Sequence, residues 1–126
     1  MTLSQITGAE EHLDMTKCLS LREFSIRLLK IPSSNSQFLS QTLSTIGSPS
    51  MKSIAIRLEE PRKDIKLLDG IDWASMDAVL DTPKFRHIDN VLVWIHIWAD
   101  IGPDFVEKRL PLLHARKKLT SQIRLQ

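Results

Sequence analysis

Two nine-residue segments thirty positions apart constrain this chain more than any other feature. Ser20-Leu21-Arg22-Glu23-Phe24-Ser25-Ile26-Arg27-Leu28 and Ser50-Met51-Lys52-Ser53-Ile54-Ala55-Ile56-Arg57-Leu58 agree in pattern at every position but one. Each reads apolar-x-x-apolar-x-apolar-x-apolar, and Ile88, Val91, Val93 and Ile95 repeat it a further 37 positions on. Alternation with a period of two is the mark of a strand with one buried face. The punctuation recurs with the strands: Ile46-Gly47-Ser48-Pro49 precedes the second and Leu80-Asp81-Thr82-Pro83 the third. This is an internal repeat of one supersecondary unit.

Helical patterns fill the intervals. Ser33, Ser34 and Asn35 offer N-caps before Phe38, Leu39, Leu43 and Ile46, and Gly47 with Pro49 ends that helix. Asp72 or a neighbour caps a second helix whose buried side is Trp73, Met76, Val79 and Leu80. Ile101-Gly102-Pro103-Asp104 opens a third, with Phe105, Val106 and Leu110 as its apolar side, and Pro111 kinks or divides it. Leu119 to Leu125 closes the chain as a short fourth strand. Residues 1–12 are polar and weakly patterned and read as a loop or frayed edge, leaving 13–126 as one domain.

The order β-α-β-α-β-α-β demands parallel strands, because helical crossovers of this length bring the chain back in the same direction. Two arrangements satisfy it: a doubly wound sheet with helices on both faces, or a solenoid with all helices on one. The near-fixed period favours the second, an α/β leucine-rich-repeat-like β-α solenoid with about four parallel strands and three helices on one face.

In that arrangement the in-between strand residues share one open face. The rows would be Glu23–Ser53–Asn90, Ser25–Ala55–Leu92 and Arg27–Arg57–Trp94, with Arg124 a candidate to extend the last. Neighbouring strands lie about 4.8 Å apart, so stacked Arg27 and Arg57 gain nothing from each other. They face either acid from a partner or Glu23, Glu59 or Glu60 of this chain. The run Ile88–Trp98 is apolar on both faces, which sets Leu92, Trp94, His96 and Trp98 apart from their polar predecessors. An exposed apolar patch of this kind marks an interaction surface. The alternative is a cover supplied by residues 1–12 or by the Glu59–Gly70 loop. Arg27, Arg57, Leu92, Trp94, His96 and Trp98 are therefore the candidate partner-binding residues.

Composition excludes several function classes. No apolar run approaches the roughly 20 residues of a membrane span, and Met1–Glu11 lacks the basic and apolar regions of a secretory signal. The single cysteine, Cys18, suits an intracellular, reducing compartment, cytoplasmic or nuclear. It has no neighbouring His or helix start to activate it and reads as a small core residue. His12, His87, His96 and His114 show no metal-ligand spacing. Asp72 and Asp77 read as capping and surface groups, not an acid–base pair. No phosphate loop or nucleophile elbow occurs, so neither enzyme activity nor a cofactor is expected. A net charge of +2 argues little for nucleic acid. The basic clusters Lys108-Arg109 and Arg116-Lys117-Lys118 fit a helix C-terminus better than a phosphate site.

The block Ile71-Asp72-Trp73 … Met76-Asp77-Ala78-Val79-Leu80 … Pro83-Lys84-Phe85 … Val91-Leu92-Val93 … Arg109-Leu110-Pro111-Leu112-Leu113-His114-Ala115-Arg116 resembles the C-terminal region of F-box proteins from mushroom-forming fungi. Cys18-Leu19-Ser20-Leu21-Arg22 and Ser48-Pro49 look like the repeats that precede it, so the likeness runs from about Leu13 onward. It implies a substrate-recognition role toward an unknown protein. The family's N-terminal F-box has no counterpart here, so a ligase adaptor is not expected to bind this chain. Lys117 stands where the family usually has Gly. The Asn or Cys of a leucine-rich repeat is replaced by Leu29, Glu59 and His96, so no buried Asn ladder forms.

Overall fold

The computed structural model describes residues 2–7, 21–30, 38–48, 50–60, 68, 71–97 and 104–125. Five strands, β1 (Thr2–Thr7), β2 (Glu23–Lys30), β3 (Ser53–Glu60), β4 (Asn90–Ile97) and β5 (Leu119–Leu125), form one sheet. Their spatial order is their sequence order, and all four pairings are parallel. Thr2–Thr7, expected as a loop or frayed edge, is the edge strand β1, its β-branched Thr and Ile residues suiting the extended backbone. Its pairing with β2 is interrupted by two register shifts.

The repeat predicts the register. Phe24, Ile26 and Leu28 stand beside Ile54, Ile56 and Leu58, which stand beside Val91, Val93 and Ile95. All nine are buried, and on β4 burial alternates residue by residue. A one-residue slip would turn this whole set outward, so the burial of the inner row fixes the alignment. Each such side chain contributes about 1.5–3 kcal/mol by leaving water.

The helices cover that row. α1 (Phe38–Ser44) ends as Ile46 N–H donates to the Leu43 carbonyl at 3.2 Å, tightening the last turn before Gly47. Ser48, buried, donates to the Leu21 carbonyl at 2.6 Å and ties this turn to the start of β2. α2 (Trp73–Leu80) starts at Asp72, whose carboxylate accepts from Ser75 N–H at 3.1 Å. A single 3-10 turn, Pro83–Phe85, follows. Pro111 divides the third expected helix into α3 (Phe105–Arg109) and α4 (Pro111–Ala115), since it cannot donate within a continuous helix. Leu39, Leu43, Trp73, Met76, Leu80, Val106 and Leu113 from these helices join the inner strand residues in one hydrophobic cluster. No helix among the described residues is long and apolar enough to cross a membrane.

Two helix expectations need correction. Val79 is only partly buried, and Asp77, expected at the surface, is 4% exposed. Its two carboxylate oxygens accept from Leu112 N–H at 3.0 Å and Leu113 N–H at 3.1 Å. Asp77 caps a helix, but α4 and not its own. Leu110, the residue before α4, makes no side-chain cap, and Pro111 has no N–H. The first free amides of α4 are thus those that Asp77 meets. This cap is tertiary, formed across 35 residues of sequence.

Candidate interaction face

The other face of the sheet carries the expected rows: Glu23–Ser53–Asn90, Ser25–Ala55–Leu92 and Arg27–Arg57–Trp94 lie side by side in register. β5 extends them differently from expectation. Gln122 stands beside Trp94, and Arg124 stands beside His96, one pleat further on. The fourth strand has Ile123 and Leu125 in phase but not the full repeat pattern that aligns the other three, and pairing of Val91 with Leu119 and of Ile95 with Ile123 decides its register. Glu59 and His96 are neighbours in that next row. Trp98, His12 and Cys18 lie outside the described residues.

Arg27 finds its acid within the chain. Its Nε donates to Glu59 Oε2, the partner on the adjacent strand. The hydrogen bond from Arg27 holds the Glu59 carboxyl below its ordinary value against the opposing effect of partial burial, and charge from Arg27, His96 and Arg57 adds to it. The same hydrogen bond raises Arg27 above its ordinary value. His96 Nδ1 lies 3.9 Å from Glu59 Oε1, so Glu59 has a cationic partner and a histidine on separate oxygens. Of the acids expected to face Arg27, a partner's or Glu23, Glu59 or Glu60 of this chain, Glu59 is the one that lies against it.

Arg57 has a different setting. It is exposed, and its guanidinium sits 5.8 Å from the centre of the Trp94 ring, at cation–π distance. Trp94 in turn meets His96 edge to face, with centroids 5.2 Å apart and planes at 61°. Leu92, Trp94 and His96 are all half-buried. Their strand-mates Val91, Val93, Ile95 and Ile97 are fully enclosed. Five groups thus form one chain across three strands: Arg27, Glu59, His96, Trp94 and Arg57. Beside it, the small residues Ser25, Ser53 and Ala55, with Glu23, Asn90 and Leu92, leave a trough of about 290 Å³.

Glu59 is the member that sequence reasoning did not place among the site residues. The signal was present, because Glu59 and His96 are 37 positions apart and so equivalent in the repeat. The remaining titratable candidates stay apart from this cluster. His87 is exposed and accepts from Arg86 Nε at 3.2 Å, and His114 is exposed on α4. Among the described residues no group of three or more His, Cys, Asp or Glu is placed to hold a metal ion. Two cations of the basic end have partners within the chain: Lys108 pairs with Asp104 at 3.1 Å, and Arg116 reaches Asp81 and the Leu80 carbonyl.

A larger hollow of about 700 Å³ lies between α2 and the α3–α4 pair, lined by Ile71, Trp73, Ala74, Arg109, Pro111 and Leu112 among others. Leu112, 47% exposed, is the large apolar side chain left most open among the described residues. Comparison with protein-family models, with curated proteins and with solved structures finds no match for this chain.

Proposed function

We propose that the chain is a leucine-rich-repeat-like β-α solenoid serving as a protein-interaction module and not as an enzyme, akin to the substrate-recognition end of fungal F-box proteins. Strand order supports the solenoid. When parallel strands are added one after another in a single direction, and each crossover has the usual right hand, every helix falls on the same face. The opposite face is then open, and here it carries Arg27, Arg57, Leu92, Trp94 and His96. The likeness to the F-box proteins rests on the sequence blocks given above.

The observation that carries the reading is Trp94. A large aromatic stays only half-buried beside an exposed arginine on the outer face of the sheet, and Trp with Arg is the composition of interface hot spots. The rival reading, a nucleic-acid surface built on Arg27, Arg57 and Trp94, is weakened because Glu59 takes the charge of Arg27. A third reading, a relic without a partner, requires no such face. The experiment is affinity purification from a fungal lysate with the wild-type chain and with Arg57→Ala/Trp94→Ala. A defined protein retained by the first and lost with the second is expected. Salt-sensitive recovery of nucleic acid in its place would overturn the reading in favour of the rival.

A further inference from the structure

The two edges of the sheet are not equivalent. β1 is blunted: two register shifts fall within its six residues, between Leu3 and Ile6 and between Ile6 and Thr7. Bulges of this kind are how native edges avoid pairing with another chain. β5 carries none of these protections. It pairs with β4 in unbroken register over all seven residues, Leu119 to Leu125. It contains no proline and a single charged residue, Arg124. Among the described residues β4 is its one hydrogen-bonded neighbour. The inner row also thins there. Val91 and Ile95 are fully enclosed, whereas Leu119 and Ile123 beside them are only half-buried.

We propose that β5 pairs antiparallel with β5 of a second copy of this chain, about a two-fold axis at Gln122. The strand is self-complementary in that register. Placing Gln122 opposite its own copy sets Leu119 opposite Leu125, Ser121 opposite Ile123 and Thr120 opposite Arg124. Inner-row positions meet inner-row positions, and no charge meets its like. All seven residues overlap, and the inner rows of the two sheets become continuous across ten strands. A head-to-tail contact of β5 with β1 of another copy would instead meet the interrupted edge. Closed two-fold contacts are the commonest way for one chain to use one patch twice. This dimer uses the sheet edge and leaves the open face free.

A single seven-residue strand makes a small interface, so a dissociation constant of roughly 10–100 µM is expected. Gln122 lies exposed on the outer side, so substitution there spares the core. Sedimentation equilibrium up to about 500 µM should show a concentration-dependent dimer for the wild type, since weak interfaces fill only near their dissociation constant. Gln122→Glu and Gln122→Lys each place like charges opposite each other and should weaken it about fivefold. An equimolar mixture of the two variants should regain at least the wild-type affinity. Oxidised Gln122→Cys in a Cys18→Ser background should cross-link to itself, because directly opposite residues fall within disulfide reach. Thr120→Cys should not cross-link. A wild-type chain that stays monomeric, variants that dimerise as well as wild type, or cross-linking at position 120 in preference to 122 would each overturn the proposal.

Discussion

Replacing Asp77 by alanine tests the tertiary cap that joins α2 to α4. The wild-type carboxylate is buried and accepts two backbone N–H groups, from Leu112 and Leu113 at 3.0 and 3.1 Å. Hydrogen bonds to a charged acceptor are worth about 1.5–3 kcal/mol each, and a donor left buried without a partner costs about 1–3 kcal/mol. Leu113 is fully enclosed, so its N–H has little access to water; Leu112 is open and can be hydrated. Against the loss stands the relief of a carboxylate no longer held out of water. The balance is about 2–3 kcal/mol of destabilisation, larger than the ~1 kcal/mol of an ordinary surface cap. Asparagine keeps one acceptor but turns an NH2 toward the other amide, so Asp77→Asn should cost about half as much. Urea unfolding followed by circular dichroism measures both, provided the slope with denaturant is unchanged. A loss below about 0.5 kcal/mol for Asp77→Ala, the range of an ordinary surface substitution, would refute the reasoning.

Three further outcomes follow from named contacts. Lys117 has φ of 59° and its N–H donates to the His114 carbonyl, while Lys118 N–H donates to that of Leu113, the closing pattern of α4. The left-handed backbone favours glycine there, so Lys117→Gly should raise stability by about 0.5–1 kcal/mol in a thermal melt. The Glu59 carboxyl should titrate below the ordinary value of a glutamate by carbon-detected NMR. A carboxyl lowered in the folded state adds stability that is complete above its unfolded value and disappears as pH falls through the folded one. Arg27→Gln should return the midpoint toward that ordinary value, and a midpoint indifferent to Arg27 would show that the pair does not persist in solution. Ile56→Ala, at 0% exposure, should cost about 2–5 kcal/mol, while Leu92→Ala on the half-buried face should cost clearly less in the same urea titration.

The inner row was readable because its warrant is local. Side chains of a strand alternate, and three copies of one pattern place Phe24, Ile54 and Val91 at equivalent positions before any contact is known. The open-face rows followed from the same offsets, which also set Glu59 and His96 at equivalent positions of the repeat, side by side in the sheet. The residues whose setting depends on a distant partner were not readable. Asp77 sits in a helix where an acid ordinarily faces water, and nothing near it in sequence announces the α4 amides it accepts from. Arg124 fell one pleat away from its expected row because β5, unlike the three repeat strands, takes its register from β4.

The sequence by itself determined which residues of the repeat strands turn inward, where Pro111 divides the third helix, and that successive strands run parallel. Those follow from periodicity, from a missing N–H and from crossover length, all properties of the chain within a few residues. Only the tertiary structure decided that the charge of Arg27 is answered by Glu59 while Arg57 rests on Trp94. It also decided that Asp77 caps another helix, that Thr2–Thr7 joins the sheet, and that one sheet edge is interrupted while the other is not. The physical reason is common to all of them. Hydrogen bonds, ion pairs and strand edges are satisfied by whatever group lies within about 3–4 Å in space, and sequence separation does not enter that distance.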